Sequence, residues 1–66
     1  MKKICFAENL KSLRTGAGLT QKQFAEICEV NQRTVSAWEK GICEPSYTML
    51  AKICDFFNET FDNILT

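Results

Sequence analysis

The chain has 66 residues, a length that fits one small domain over residues 1–66. It contains eight Lys and Arg, eight Asp and Glu, four cysteines and no histidine. Histidine is the commonest general acid and base and the commonest protein metal ligand, so its absence argues against most enzymes. The zero formal net charge argues against a simple polybasic nucleic-acid binder unless the charges are segregated along the chain.

The N-terminal segment and the cysteines favour a soluble, cytoplasmic protein. Only four apolar residues follow the first two lysines, too few for a secretory signal peptide, and no stretch reaches the length of a membrane span. The cysteines stand far apart in sequence, without the close pairs typical of zinc sites: Cys5, Cys28, Cys43 and Cys54. We therefore expect no metal, no cofactor and no disulfide framework. Three of the thiols should be buried, whereas Cys43 lies in a predicted turn and should be exposed.

Helical spacing of apolar residues begins near the N-terminus. Phe6, Leu10 and Leu13 predict a first helix over about residues 5–15, which the glycines at 16 and 18 end. The segment Thr20-Gln21-Lys22-Gln23 has the form of a capping box and predicts a second helix beginning after Thr20 and ending near residue 28. The apolar side of this helix carries four residues: Phe24, Ala25, Ile27 and Cys28.

A third helix follows after only two or three residues. Asn31 is a favourable N-cap residue, Val35 and Trp38 face inward at i and i+3, and Gly41 is well placed to end the helix. So short a connection between two short helices predicts a helix-turn-helix corner, within a motif over about residues 20–40.

Two more helices complete the predicted fold. Ser46 can cap a fourth helix, which Asn58 can end, and Thr60 can cap a short fifth helix. The fourth helix has an apolar stripe of Leu50, Ile53, Cys54 and Phe57. The fifth has three apolar positions, Phe61, Ile64 and Leu65. No strand pattern occurs, so the sequence predicts an all-α fold of five short helices around one core.

Polar residues at the start of the third helix are candidates for reading DNA bases. A short helix can lie in the major groove when its N-terminal side chains are polar and project outward. Gln32 can form two hydrogen bonds with adenine, and Arg33 can do so with guanine. Ala37, one turn later, is small enough to admit a base edge or to touch a thymine methyl group. On an ordinary surface helix the same side chains would only contact solvent.

Three residues nearby are candidates for contacting phosphates. Gln21, at the N-terminus of the second helix, presents an amide beside free backbone N–H groups. Lys22 and Lys40 can add positive charge. No catalytic arrangement competes with this interpretation, because neither a Ser-His nor a Cys-His pair is possible and no glycine-rich phosphate loop occurs. We expect no catalytic residues and no enzymatic activity.

Several segments match the pattern of a known family: Gly18–Gln21, Phe24-Ala25, Thr34–Gly41, Pro45-Ser46, 50–57 and 61–65. Through them the chain, from Leu10 to Leu65, resembles the Cro/repressor-type helix-turn-helix family, often called the Xre family. The resemblance implies a compact five-helix, lambda-repressor-like DNA-binding domain whose third helix enters the major groove. It also implies a prokaryotic or phage transcriptional regulator that acts as a repressor on double-stranded DNA.

The resemblance also assigns roles to individual residues. Base reading falls on Gln32, Arg33 and Ala37. Because Ala37 replaces the longer polar side chain that some phage repressors use, we expect specificity to depend on Ser36 as well. A phosphate contact falls on Gln21, and we expect further phosphate contacts from Lys22, Asn31, Thr34 and Lys40. Gln21 is also expected to support the side chains that read the bases.

Four further residues acquire structural expectations from the resemblance. Arg14 and Glu39 occupy the positions of an ion pair in phage repressors of this type, so we expect a partly buried structural pair. Trp38 is expected in the core. Glu29 stands where the family commonly has glycine, so a non-glycine residue is expected to adopt a positive φ, at a cost on the order of 1 kcal/mol.

The charges are segregated along the chain. Residues 1–40 carry seven Lys and Arg against four Asp and Glu, a net charge of +3. Residues 41–66 carry one Lys against four Asp and Glu, a net charge of −3. The segregation predicts a DNA-binding face in the first half and a face that repels phosphate in the second.

The second half of the chain is rich in aromatic residues, which cannot all be buried in so small a protein. We expect Phe56, Phe61 and Ile64 to form the interface of a symmetric homodimer on a palindromic operator. The alternative comes from another functional class, a protein-interaction module such as the antitoxin of a toxin–antitoxin pair.

Overall fold

The computed structural model describes residues 6–66, which form five helices. In chain order these are α1 (Phe6–Gly16), α2 (Gln21–Cys28), α3 (Gln32–Glu39), α4 (Tyr47–Phe57) and α5 (Phe61–Leu65). The described range contains no strand, and none of its helices has both the length and the apolar character needed to cross a membrane. The predicted all-α, five-helix fold is confirmed. The expected burial of Cys5 concerns a position outside the described residues.

The helices after α1 begin at the predicted N-cap residues. The Thr20 hydroxyl accepts a hydrogen bond from the Gln23 N–H at 3.0 Å, and the Gln23 side chain accepts one from the Thr20 N–H at 2.9 Å. This reciprocal pair is a complete capping box. The hydroxyls of Ser46 and Thr60 cap α4 and α5 without the reciprocal bond, by accepting from the backbone N–H groups of Met49 (3.2 Å) and Asn63 (3.1 Å). Asn31 is the N-cap of α3, but its side chain makes no capping hydrogen bond.

Left-handed residues mark the turns at which the helices end. α1 continues through Gly16, and the positive φ falls on Gly18, at 74°. Gly41 (φ 73°) and Asn58 (φ 56°) follow α3 and α4 as predicted. Glu29 ends α2 with φ 60° and ψ 41°, which confirms the expected left-handed corner. The corner orients α2 and α3 relative to each other.

All five helices contribute to one core. Its buried apolar residues are Phe6, Leu10, Phe24, Ala25, Cys28, Val35, Trp38, Ile53, Cys54 and Ile64. Trp38 is 4 % exposed, so the prediction that it lies in the core is confirmed. The expectation that Ile27 faces inward is wrong, since 37 % of it is exposed. The buried side of α2 consists of its other three apolar residues, and Ile27 is not part of it.

The position of α5 corrects one predicted interface residue. Ile64 is 1 % exposed and belongs to the core of its own chain. It therefore has no surface to offer a second copy, which contradicts its predicted place in a dimer interface. Asn9 of α1 stabilises this arrangement, because its amide donates to the carbonyl oxygens of Asn63 (3.3 Å) and Ile64 (3.0 Å).

Candidate functional site

An open groove of about 580 Å³ lies where α2 and α3 begin. Five residues predicted to contact DNA line it: Gln21, Asn31, Gln32, Arg33 and Ser36. The tight corner at residue 29 turns the chain so that residues distant in sequence meet here. Helix N-termini carry free backbone N–H groups and partial positive charge, which favour anionic ligands. The groove thus combines the N-termini of α2 and α3 with one cationic side chain, that of Arg33, and several uncharged polar side chains.

The predicted base-reading residues differ in their exposure. Gln32 and Arg33 are exposed, and they lie on the first turn of α3. Ser36 and Ala37 are half-buried one turn later. Val35 is completely buried and fixes this helix against the core. The first turn of α3 therefore presents its polar side chains outward on a helix whose other face is held by packing.

Four of the predicted DNA-contacting residues are not part of the groove lining. Lys22 and Lys40 are exposed on α2 and just after α3, whereas Thr34 and Ala37 are half-buried on α3. Lys22 follows Gln21 on the first turn of α2 and can add positive charge beside the groove, whereas Lys40 lies at the C-terminal end of α3, the end opposite its first turn. The groove lining itself contains one charged side chain, that of Arg33.

Behind the groove, a bidentate ion pair joins α1 to α3. Arg14 Nε donates to Glu39 Oε2 at 2.6 Å, and Arg14 Nη2 donates to Glu39 Oε1 at 3.1 Å. The two side chains are only 9 % and 3 % exposed, which confirms the expected burial of the pair. Arg14 Nη1 also donates to the carbonyl oxygen of Leu19 at 2.7 Å, in the segment that leads into α2.

Gln21 connects this ion pair to the groove. Its Nε2 atom donates to Glu39 Oε1 at 3.1 Å, and the residue is half-buried. The sequence carries no signal for this contact, because the two residues are 18 positions apart and belong to different helices. The amide expected to contact phosphate is thus also part of the buried polar network.

The thiols of the described residues are divided between the core and the surface. Cys28 and Cys54 are buried and Cys43 is exposed, as predicted. Burial raises the pKa of the Cys28 thiol, against a smaller lowering by nearby Lys52. Burial raises the pKa of the Cys54 thiol as well, with a smaller contribution from Glu59. Across residues 6–66, no group of three or more Cys, Asp or Glu residues is arranged to hold a metal ion.

Comparison with known proteins identifies relatives by sequence. The profile of a family described as helix-turn-helix matches residues 10–64. The chain is 43 % identical over 61 residues to the HTH-type transcriptional activator BcrR of Enterococcus faecalis, which covers 92 % of this chain and 30 % of BcrR. It is 34 % identical over 58 residues to the antitoxin PezA of Streptococcus pneumoniae, covering 88 % and 37 % of the two chains. The chain thus spans about a third of the length of these two curated relatives.

Comparison with solved structures also identifies transcriptional regulators. A transcriptional regulator from Listeria innocua superposes with a TM-score of 0.91 at 31 % identity, over 97 % of this chain and 60 % of the regulator. The SOS-response transcriptional repressor LexA from Eubacterium rectale superposes with a TM-score of 0.85 at 30 % identity, over 92 % and 65 % of the two chains. The names of these four relatives therefore include an activator, a repressor, a regulator and an antitoxin.

Proposed function

Because the chain belongs to the helix-turn-helix family, we propose that it binds double-stranded DNA in a sequence-specific manner and regulates transcription. In this proposal α3 lies in the major groove, and Gln32 and Arg33 read base edges from its first turn. Ser36 and Ala37 contact the same base pairs one turn later. The regulator represses transcription by occupying a palindromic operator.

The observation that carries the proposal is the groove at the start of α2 and α3. It brings together five polar residues that are candidates for DNA contact, and its exposed first turn of α3 includes the arginine best suited to a guanine. The side chains on the opposite face of α3, Val35 and Trp38, are buried, so the helix can present its polar face without losing its packing. This division of α3 is what a recognition helix requires.

The phosphate contacts in this proposal surround the base-reading residues: Gln21, Lys22, Asn31, Thr34 and Lys40. The excess of positive charge in residues 1–40 supports them. Because such contacts release counterions from DNA, affinity should fall as the salt concentration rises.

An antitoxin-like function is the alternative, and the similarity to PezA favours it. In this case the chain would bind a partner protein, and DNA recognition would be secondary or absent. A pull-down and a duplex selection together distinguish the two functions. A pull-down that recovers a stoichiometric protein partner, together with an isolated chain that selects no duplex, supports the alternative.

Selection of bound duplexes from a random pool tests the proposal. We expect a limited set of related sequences, arranged as two symmetric half-sites. Arg33→Ala should then lose discrimination at one base pair in each half-site, with a cost of about 1–3 kcal/mol at that position. Gln21→Ala should weaken binding to all selected duplexes more evenly, because a phosphate contact carries no sequence information.

Lys52→Ala is the matched control for Arg33→Ala. It removes the same charge from an exposed side chain on α4, outside the groove lining, and the exposed ion pair with Glu29 that it also breaks contributes only about 0–1 kcal/mol to stability. Discrimination should survive in this variant. If the Arg33→Ala variant discriminates between duplexes as well as the Lys52→Ala variant does, the assignment of base reading to Arg33 is wrong.

A further inference from the structure

We propose that the buried Arg14–Glu39 pair positions Gln21 for DNA recognition, in addition to joining α1 to α3. Glu39 holds the carboxamide of Gln21 in one orientation at the edge of the groove. Arg14 and Glu39 are then positioning residues, which act on DNA through Gln21 without touching it. The inference rests on the proposed DNA-binding function and adds to it a reason why the Gln21 side chain is already oriented when DNA binds.

The geometry of the Glu39 carboxylate supports this role. Its Oε1 atom accepts from Arg14 Nη2 and from Gln21 Nε2, both at 3.1 Å. Its Oε2 atom accepts from Arg14 Nε at 2.6 Å. One carboxylate at the C-terminal end of α3 therefore joins the last turn of α1 to the first residue of α2. Hydrogen bonds to a charged group are about twice as strong as those between neutral groups, so the carboxylate is an effective acceptor for the amide.

The carboxylate is itself held in place. Arg14 is fixed by its bond to the Leu19 carbonyl oxygen and by burial, with its side chain 9 % exposed. If Glu39 rotated away, it would leave a buried guanidinium without its partner, which is strongly unfavourable. Among the described residues, no buried side-chain nitrogen or oxygen lacks a hydrogen-bond partner. The network is therefore complete before any ligand binds.

This arrangement determines what Gln21 presents to the groove. A glutamine amide has two N–H donors and one carbonyl acceptor. Because one N–H is taken by Glu39, the second N–H and the carbonyl oxygen remain for the groove. The second N–H can donate to a phosphate oxygen, and the carbonyl oxygen can accept from a neighbouring side chain. A glutamine that is already oriented loses less conformational freedom on binding, so the complex is tighter.

The experiment replaces the ion pair without leaving a buried charge. The double substitution Arg14→Met with Glu39→Leu removes one charge of each sign, and apolar residues of similar volume often replace buried ion pairs with little loss of stability. We would measure its affinity for a duplex selected by the wild-type chain, alongside Gln21→Ala and the triple variant. We expect the double substitution to weaken binding about tenfold, as the loss of one oriented hydrogen bond predicts.

The triple variant decides whether the pair acts through Gln21. If it does, Gln21→Ala costs less affinity in the pair replacement than in the wild-type chain, because an unoriented Gln21 contributes less to binding. Unchanged affinity in the pair replacement, or losses that add in full, would overturn the inference while leaving the proposed function intact. Asn9→Ala is the stability control, since it weakens the contact of α1 with α5 and should leave the affinity unchanged.

A measurement on the free protein separates this inference from the proposed function. In the NMR spectrum, the Gln21 side-chain amide should show one hydrogen-bonded proton with slow exchange, unlike that of the exposed Gln32. Equal behaviour of the two amides overturns the inference even if the pair replacement fails to fold. A chain that selects no duplex removes the proposed function, and the positioning role with it, whatever the amide shows.

Discussion

Glu29 occupies the corner between α2 and α3 in a conformation that L-residues with side chains rarely adopt. Its φ of 60° and ψ of 41° lie in the left-handed region. Its side chain contributes an exposed ion pair with Lys52 of α4, at 3.3 Å, and such pairs stabilise proteins by about 0–1 kcal/mol. The surrounding structure therefore keeps Glu29 in this left-handed conformation at a cost in backbone strain, which a glycine would avoid.

We expect Glu29→Gly to be more stable than Glu29→Ala by about 1 kcal/mol, because both lose the ion pair and only alanine keeps the strain. Urea unfolding of the two variants measures this difference. At Glu26, inside α2, the same comparison should favour alanine by a similar amount, since glycine is the poorer helix former. A more stable alanine at both positions would contradict the role assigned to the left-handed corner.

The two buried thiols make stability dependent on pH in the alkaline range. The folded state raises the pKa of Cys28 and of Cys54, mainly through burial. Folding therefore favours the protonated thiols, and their contribution is fully present below the ordinary thiol pKa of about 8.5. It is lost as the pH rises through the raised values, because the unfolded chain then releases protons more readily.

The free energy of unfolding should accordingly fall as the pH rises above the ordinary thiol pKa of about 8.5. Replacing Cys28 and Cys54 with alanine should make this fall less steep, as measured by urea unfolding at several pH values. Cys43→Ala provides the control, because an exposed thiol has no burial to lose. If the free energy of unfolding falls equally steeply with pH in the wild-type chain, the variant without Cys28 and Cys54, and the Cys43→Ala variant, other groups cause the fall.

The helices of the motif differ in how their first turns are stabilised. The N-cap of α2 has a complete capping box, whereas the N-cap of α3 has no side-chain capping bond. The freed side chain of Asn31 lines the groove instead. The element most exposed to DNA in the proposed complex is therefore also the one with the weaker N-terminal cap.

This difference predicts opposite effects of two alanine substitutions. Thr20→Ala should lower the free energy of unfolding by about 1 kcal/mol, and Asn31→Ala by only a few tenths, because the latter removes no capping bond. Thermal unfolding measures both. In DNA-binding assays the order should reverse, with Asn31→Ala showing the larger loss. Equal destabilisation by the two substitutions would mean that Asn31 caps α3 in solution.

The helices were predictable because each has local signals. Apolar spacing and cap residues such as Thr20, Ser46 and Thr60 act within a few positions, and the structure confirms them. Contacts between distant elements have no such signal. The bonds of Asn9 to the carbonyl oxygens of α5 depend on how the helices pack, which spacing within one helix does not specify.

The predicted site was recoverable only in part for the same reason. The Arg14–Glu39 pair was expected from family resemblance, whereas the bond between Gln21 and Glu39 was not. Ile64 was misassigned because α5 has five residues, too few for its apolar positions to define a buried face and an exposed one. Polar residues at a helix start are visible in sequence, but their mutual arrangement requires the fold.

At the scale of the whole molecule, the proposed dimer would use the acidic half of the chain. Phe56 is 47 % exposed and packs edge-on against Phe57, with 4.9 Å between ring centroids. Half-buried Phe61 packs against Tyr47 at 5.2 Å, and 68 % of Tyr47 is exposed. Exposed aromatic area of this kind suits a protein interface. A symmetric interface would also bring two halves of net charge −3 together.

A rise in salt concentration should therefore strengthen the dimer and weaken the complex with DNA. Because added ions screen like charges, we expect the free chain to dimerise more strongly as salt rises, while its affinity for DNA falls. Sedimentation of the free chain at low and high salt measures the first effect. Phe56→Ser should weaken the dimer at both salt concentrations. A strict monomer, both free and on DNA, would exclude the dimer altogether.

The burial of Trp38 gives the protein an intrinsic optical probe. It is the one tryptophan in the sequence, it is 4 % exposed, and it belongs to α3. It lies in the last turn of α3, borders a small cavity with Phe6 and Ala7 of α1, and is not among the groove-lining residues. Its fluorescence should shift to longer wavelength when α3 separates from the core. Emission from this single side chain can thus follow the docking of α3 in real time, without an attached dye.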